Sequence, residues 1–307
     1  LQVVAQTGLD KSKAAVQNKL MAQVVGGKRE RWTKVISARQ GLLDLHLHDV
    51  LQYRDLILLL IKRDWTVAYK QTVLGPLWYV MQPLLSAVMY TFVFGKLAGL
   101  GTDGIPSVLF YFPGNMLWQY FTKCVTCGAN TFIENRNVFS KVYFPRLCVP
   151  IADTVGQILR LLIQFAFLLC IYIYFLANGV PVRPSWKVLF FPFLLIWIGC
   201  LGTGFGLILS ALTTKYRDLN NLVTFLMPLA MYVTPVVYPL SQAPEKYRFF
   251  FMCNPMSAPV EAFRIWFYGA GTVPPLMYAV SISATVVLLF LGLILFTRGE
   301  RTFVDVI

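Results

Sequence analysis

Arg63, Trp65, Tyr69 and Lys70 stand within "RDWTVAYKQTVLGPLWYVMQPLL" (63–85), a polar, aromatic-studded segment that runs straight into an apolar stretch, and Trp78 and Tyr79 continue the aromatic set past the junction. Two roles suit such residues: an aromatic belt at headgroup level, or the lining of a conduit. Catalytic constellations are missing. The chain has no G-x-x-x-x-G-K-[ST] loop to cradle nucleotide phosphates, so it is not expected to be its own ATPase. No D-x-D pair offers to hold a metal-bound sugar nucleotide. His46 and His48 are the only histidines and have no cysteine or carboxylate ligands at suitable spacing, so no metal site is expected. Cys124-x-x-Cys127 lacks a second half-site, and with Cys148, Cys170, Cys200 and Cys253 it reads as small apolar packing residues.

The elements that must position these residues follow from composition. The 307 residues are 57% hydrophobic, 15% aromatic and only 13% charged, with mean hydropathy +0.62, which assigns the chain to a membrane. Stretches long enough to cross about 30 Å of hydrocarbon recur at 74–94, 108–133, 147–176, 188–212, 222–239 and 275–296. The expected fold is therefore all-α, with six transmembrane helices. Residues 1–48 form a polar, basic arm without an apolar signal segment, so the amino terminus is expected in the cytoplasm, and six spans return the carboxyl terminus there. Basic residues near the membrane divide about 11 inside to 6 outside on this placement, as the positive-inside tendency requires. The net charge of +13 lines membrane flanks, which suits anionic lipid headgroups and not nucleic acid.

Residues 49–73 hold "DVLQYRDLILLLIK", too short to span and ending in cations, which predicts an interfacial helix followed by the polar segment. Gly75-Pro76 marks the restart of the chain as the first span of a six-helix membrane domain over 74–307. Two short loops on the same side share a basic, aromatic character: "ENRNVFSKVYFPRL", where Pro145 forces Phe144 extended, and "TTKYRDLN". On the opposite side, "MCNPMSAPVEAFRIWFYGAG" reads as a re-entrant or surface-lying helix of about 14 residues, about 21 Å, with Asn254 as cap, Pro255 in the first turn and Gly269 at the end. Glu261 and Arg264, three apart, can pair on one face. In span three Asp153 and Arg160 share a face but lie about 10.5 Å apart along the axis, so each needs another partner, and Lys123 in span two raises the same question. Pro228 and Pro235 are expected to kink span five.

"YRDLILLLIKRDWTVAYKQTVLGPLWYVMQPLL" resembles the opening of type-2 ABC exporter permeases for polysaccharides, and "NVFSKVYFPRLCVP", "KYRDLNN", "TPVVYP", "NPMSAPVEAFR" and "ERTFVDVI" follow in that family's order over 34–307. The likeness is greatest to permeases that export O-antigen lipopolysaccharide, with teichoic acid and capsule permeases as relatives. The resemblance implies a homodimer in the bacterial inner membrane, working with two copies of a separate ATP-binding subunit that binds ATP and Mg, while this chain binds no cofactor. The cargo implied is a lipid-linked polysaccharide moved from the cytoplasmic to the periplasmic side. On that reading Lys62, Arg63 and Lys70 attract a lipid pyrophosphate, and Trp65, Tyr69, Trp78 and Tyr79 offer flat faces to sugar rings. Tyr90, Phe94, Phe225 and Tyr232 line the conduit. Arg136, Lys141, Phe144, Pro145 and Arg146, with Tyr216, Arg217 and Asp218, dock the ATPase. Asn254, Glu261 and Arg264 belong to a periplasmic gate. A passive channel, which would have no ATPase partner, and a membrane-embedded polysaccharide synthase are the rival classes.

Overall fold

The computed structural model describes residues 47–306, apart from 71, 74, 143, 181–183, 214, 215, 217, 243, 244 and 272. The expected amino-terminal arm lies outside the described residues as far as His46, and its last two residues, Leu47 and His48, already belong to the first helix. Everything described is helix or connecting turn, with no strand. Two helices, α1 (Leu47–Gln52) and α2 (Arg54–Tyr69), precede the first apolar helix. Helix α2 does not stop at Lys62 but carries the polar segment in helical form as far as Tyr69. Gly75 then turns the chain at φ +51°, a left-handed conformation that costs glycine nothing, and a 3₁₀ turn over Gly75–Leu77 feeds α3 (Trp78–Tyr90), which ends in a π-helical turn over Thr91–Leu97.

The centre of the fold is α4 (Ser107–Glu134), on which α3 packs and against which both α6 (Cys148–Ala177) and α7 (Phe191–Thr213) lie, the short α5 (Arg136–Phe139) filling the turn between α4 and α6. Small residues set how closely these helices approach. Gly206 lies against Gly128 of α4, and a Cβ built at Gly206 would stand 2.8 Å from the Val125 carbonyl oxygen. From the other flank of α7, Gly204 meets Leu289 of α11 (Pro275–Val306), where a Cβ would fall 2.7 Å from backbone. Without a hydrophobic drive between helices in lipid, backbone contact of this kind is what holds them together. The glycine run "GCLGTGFG" (199–206) is thus the packing code of α7, a signal that composition alone hides.

Among the described residues, four helical segments are long and apolar enough to cross a membrane: Gly75–Leu97, Cys148–Ala177, Trp186–Thr213 and Pro275–Glu300. The expected second span is α4, long enough at 28 residues but more polar, because protein covers most of its circumference and lipid need not. The expected fifth span is α8 (Leu219–Tyr232), 14 residues, about 21 Å at 1.5 Å per residue and short of the hydrocarbon thickness on its own. Pro228 sits inside α8, but Pro235 does not kink it: the helix has already ended at Tyr232, because the missing N–H of Pro235 and its clash with the preceding residue disfavour continuation. Beyond it come α9 (Glu245–Cys253) and α10 (Ser257–Tyr268). Gly269 closes α10 at φ +70°, as expected, but the helix starts after Pro255, so it is shorter than foreseen. Nearly every residue of α10 is buried in protein, so it does not lie on the surface. Helix α2 packs across the beginning of α6, joined by a small apolar core that includes Leu60, Ala152 and Phe144.

Candidate functional site

Four groups of predicted residues can be placed, and the first gathers where α2 meets α3 and α6. Trp65 and Tyr69, four apart on one helix face, stack edge to face at 4.6 Å between ring centroids, and Tyr69 meets Tyr79 across the Gly75 turn at 5.7 Å. The guanidinium of Arg160 covers the Tyr79 ring at 5.2 Å, extending the stack into α6. Burial, and then the neighbouring Tyr79, push the Tyr69 phenol up to about 12 against the opposing pull of Arg160, so it stays neutral at ordinary pH. Its hydroxyl is buried without a hydrogen-bond partner among the described residues. Trp78 is 55% exposed and makes none of the ring contacts of this stack. Of the three cations, Arg63 is engaged with Asp64 at 2.7 Å, while Lys62 and Lys70 project into the open.

The intramembrane charges find their surroundings here as well. Arg160 donates to the side-chain carbonyl of Gln157 at 3.1 Å and makes no ion pair with Asp153, as their axial spacing requires. Asp153 instead lines a cleft of about 20 Å³ with Asp64, Trp65 and Arg160. Lys123 lines a separate cavity of about 120 Å³ in which Tyr79, Gln157, Arg160 and Gln164 take part. Gln164 fixes one wall by donating to the Tyr79 carbonyl at 2.8 Å. The sequence reading did not single out Gln157 and Gln164, although their spacings of three and four from Arg160 put all three on one face of α6.

At the far end of α3, Tyr90 and Phe94 lie 5.9 Å apart and Phe94 meets Tyr232 of α8 at 6.4 Å. Tyr90 also reaches Met231 Sδ at 3.7 Å and the Tyr111 ring at 6.2 Å. Three of the four expected conduit aromatics therefore share one cluster. Phe225 stands two turns away on α8 and is 65% exposed.

The loop over 134–146 divides into a buried and an open part. Phe144 is buried against Phe139, and Arg146 lies over the Phe139 ring, donates to the Glu300 carbonyl at 3.0 Å and pairs with the Glu300 carboxylate at 3.6 Å. Pro145 stands between Phe144 and Arg146, half-buried, where it stiffens the turn into α6. Arg136 and Lys141 face outward. In the second loop Tyr216 and Asp218 are exposed, and Arg217 lies outside the described residues.

On the opposite side, Glu261 and Arg264 of α10 pair at 2.7 Å with both side chains 2% exposed. Arg264 also donates to the Val236 carbonyl at 2.9 Å and lies 3.7 Å over the Phe110 ring of α4, while Glu261 accepts the Leu240 N–H at 3.4 Å. Asn254 joins the same region: its side chain accepts from the Met256 N–H at 3.0 Å and donates to Thr234 Oγ1 at 2.9 Å. The pair is thus a strut tying α4, α10 and the segment after α8, so movement of one carries the others.

Taken together, apolar helical spans around a mostly buried α4, with α2 packed across α6 and a buried α10, describe a multi-pass membrane protein. Residues 55–268 match the ABC-2 type transporter family, and the chain belongs to it. It is similar to two proteins of Klebsiella pneumoniae called O-antigen export system permease protein RfbA, at 28% identity over 82% of this chain and 95% of that protein, and at 27% over the same shares. A protein of Myxococcus xanthus with the same name is 27% identical over 84% of this chain and 98% of its own length.

Proposed function

We propose that this chain is the transmembrane subunit of an ATP-driven exporter that moves a lipid-linked polysaccharide, of the O-antigen class, from the cytoplasmic to the periplasmic side of the bacterial inner membrane. The observation that carries the reading is similarity to O-antigen export permeases over nearly their whole length, within a family match that spans the entry helix to the outer helix. The stacked Trp65, Tyr69 and Tyr79 support it, because flat faces with polar edges bind sugar rings without holding them tightly. So do Tyr90, Phe94 and Tyr232, further along the same helix and its neighbour.

Two copies of the chain enclose the conduit, and two copies of an ATP-binding subunit drive it, with ATP and Mg bound at that partner. Both termini lie in the cytoplasm. Arg136 and Lys141, exposed beside the buried anchor of Phe144 and Arg146, meet the ATPase together with Tyr216 and Asp218. The test is deletion of the gene, followed by fractionation of surface polysaccharide and its lipid-linked precursor. Full-length polymer trapped on the cytoplasmic face is the expected result. Absence of any polymer would overturn the export reading in favour of a synthase.

A further inference from the structure

Lys123 and Arg160 come from different helices, α4 and α6, yet open onto one cavity of about 120 Å³. That is far beyond the about 10–15 Å³ that a single water needs. Amide side chains of Gln119, Gln157 and Gln164 and the ring of Tyr79 complete its polar wall. Neither cation forms an ion pair with a described residue; Arg160 Nη1 is bonded to neutral Gln157, and Arg160 Nε is buried with no partner. Asp153 borders the neighbouring cleft, of which Gln157 and Arg160 form the shared wall, and makes no ion pair with Arg160. Arg160, partly buried with no ion pair, is costly in a membrane protein unless the space beside it receives an anion, and Lys123, exposed on the same cavity, adds a second positive charge there.

We infer that this cavity binds the diphosphate headgroup of a lipid, and that it, not the set Lys62, Arg63 and Lys70, is the anion-recognition site of the chain. Charge argues for a diphosphate. Two cations match a group bearing two or more negative charges better than a phosphodiester bearing one, and the surrounding amides add neutral donors for the remaining oxygens. Position argues for a lipid. Tyr79 belongs both to the cavity wall and to the aromatic stack with Tyr69 and Trp65, so a headgroup seated there leaves its neighbouring sugar against the stack. Arg63, by contrast, is already neutralised by Asp64. The identity of the lipid rests on the export reading above.

The experiment uses the full-length chain in nanodiscs of zwitterionic lipid, titrated with a polyprenyl diphosphate, with phosphatidylglycerol and inorganic pyrophosphate as separate arms. The wild type is expected to bind the polyprenyl diphosphate in preference to both. Lys123→Gln and Arg160→Gln should each weaken that binding about tenfold or more, the loss of one charge-assisted hydrogen bond, and Lys123→Arg should keep it. Lys123 is exposed, so its variants test the site even where Arg160→Gln lowers folding yield, and thermal melting of each variant checks this. Unchanged binding in Lys123→Gln would overturn the assignment. Equal binding of phosphatidylglycerol would overturn the diphosphate, and equal binding of inorganic pyrophosphate would overturn the lipid. Polymer trapped by gene deletion alongside unchanged binding in the variants defeats the cavity alone. Variant-sensitive binding without trapped polymer defeats the export reading alone.

Discussion

Trp65 and Tyr79 are partly covered, stacked through Tyr69, and placed where an entering chain must pass on the export reading. Each ring contact contributes about 0.5–1.5 kcal/mol beyond its buried area. Trp65→Ala or Tyr79→Ala should therefore lower export about two- to tenfold while the protein remains in the membrane at normal level, measured as surface polysaccharide against the amount of folded chain. Normal export in both would remove these residues from the path. Glu261 and Arg264 predict the opposite pattern. Removing one partner strands a buried charge, at about 3–5 kcal/mol, so Glu261→Ala should lose folded protein and melt earlier, seen by thermal-shift assay in detergent. A variant with unchanged melting would mean that the Glu261–Arg264 strut carries no stability.

Helix α7 illustrates how an element is set by what it omits. A Cβ at Gly206 would press into the Val125 carbonyl and Gly128 of α4, both backbone, which cannot swing aside. Gly206→Leu should consequently abolish folded protein, whereas Gly156→Ala in α6, where a Cβ meets nothing within 4 Å, should be tolerated; yield of monodisperse protein separates the two outcomes. The anchor of the 134–146 loop makes a second prediction at this scale. Arg146 holds the end of α11 through Glu300, so Arg146→Glu places like charges together and should release the loop. ATPase stimulation and transport should both fall, and a Glu300→Arg replacement in the same chain should restore part of each. Transport unchanged by Arg146→Glu would detach this loop from coupling.

At the scale of the molecule, α4 is mostly covered by protein while α3 and α8 keep large apolar side chains exposed, among them Leu85, Met89, Phe225 and Leu229. In the proposed exporter these faces meet a second copy across the conduit. With the native cysteines replaced, Phe225→Cys should give a covalent dimer on mild oxidation in membranes. Monomers alone at every oxidant concentration would place the dimer contact elsewhere. The Glu261–Arg264 strut is joined to α4 through Phe110, so on the export reading the outer end of the conduit would be tied to the central helix.

Length and hydropathy alone determined the membrane class, the helical character and the stretches that become α3, α6, α7 and α11, because a span must hide about 20 consecutive residues from water whatever its neighbours are. Local chemistry likewise determined the Gly75 restart, the Gly269 stop and the Glu261–Arg264 pair, since each depends on residues within a few positions. What lay beyond the sequence was which charges share a space. Lys123 and Arg160 are 37 positions apart and join one cavity only because α4 and α6 pack side by side. The burial of Phe144 and the pairing of Arg146 with Glu300, 154 residues away, were likewise not legible in the loop's own residues. Burial and long-range pairing belong to the assembled helices, and no local pattern encodes them.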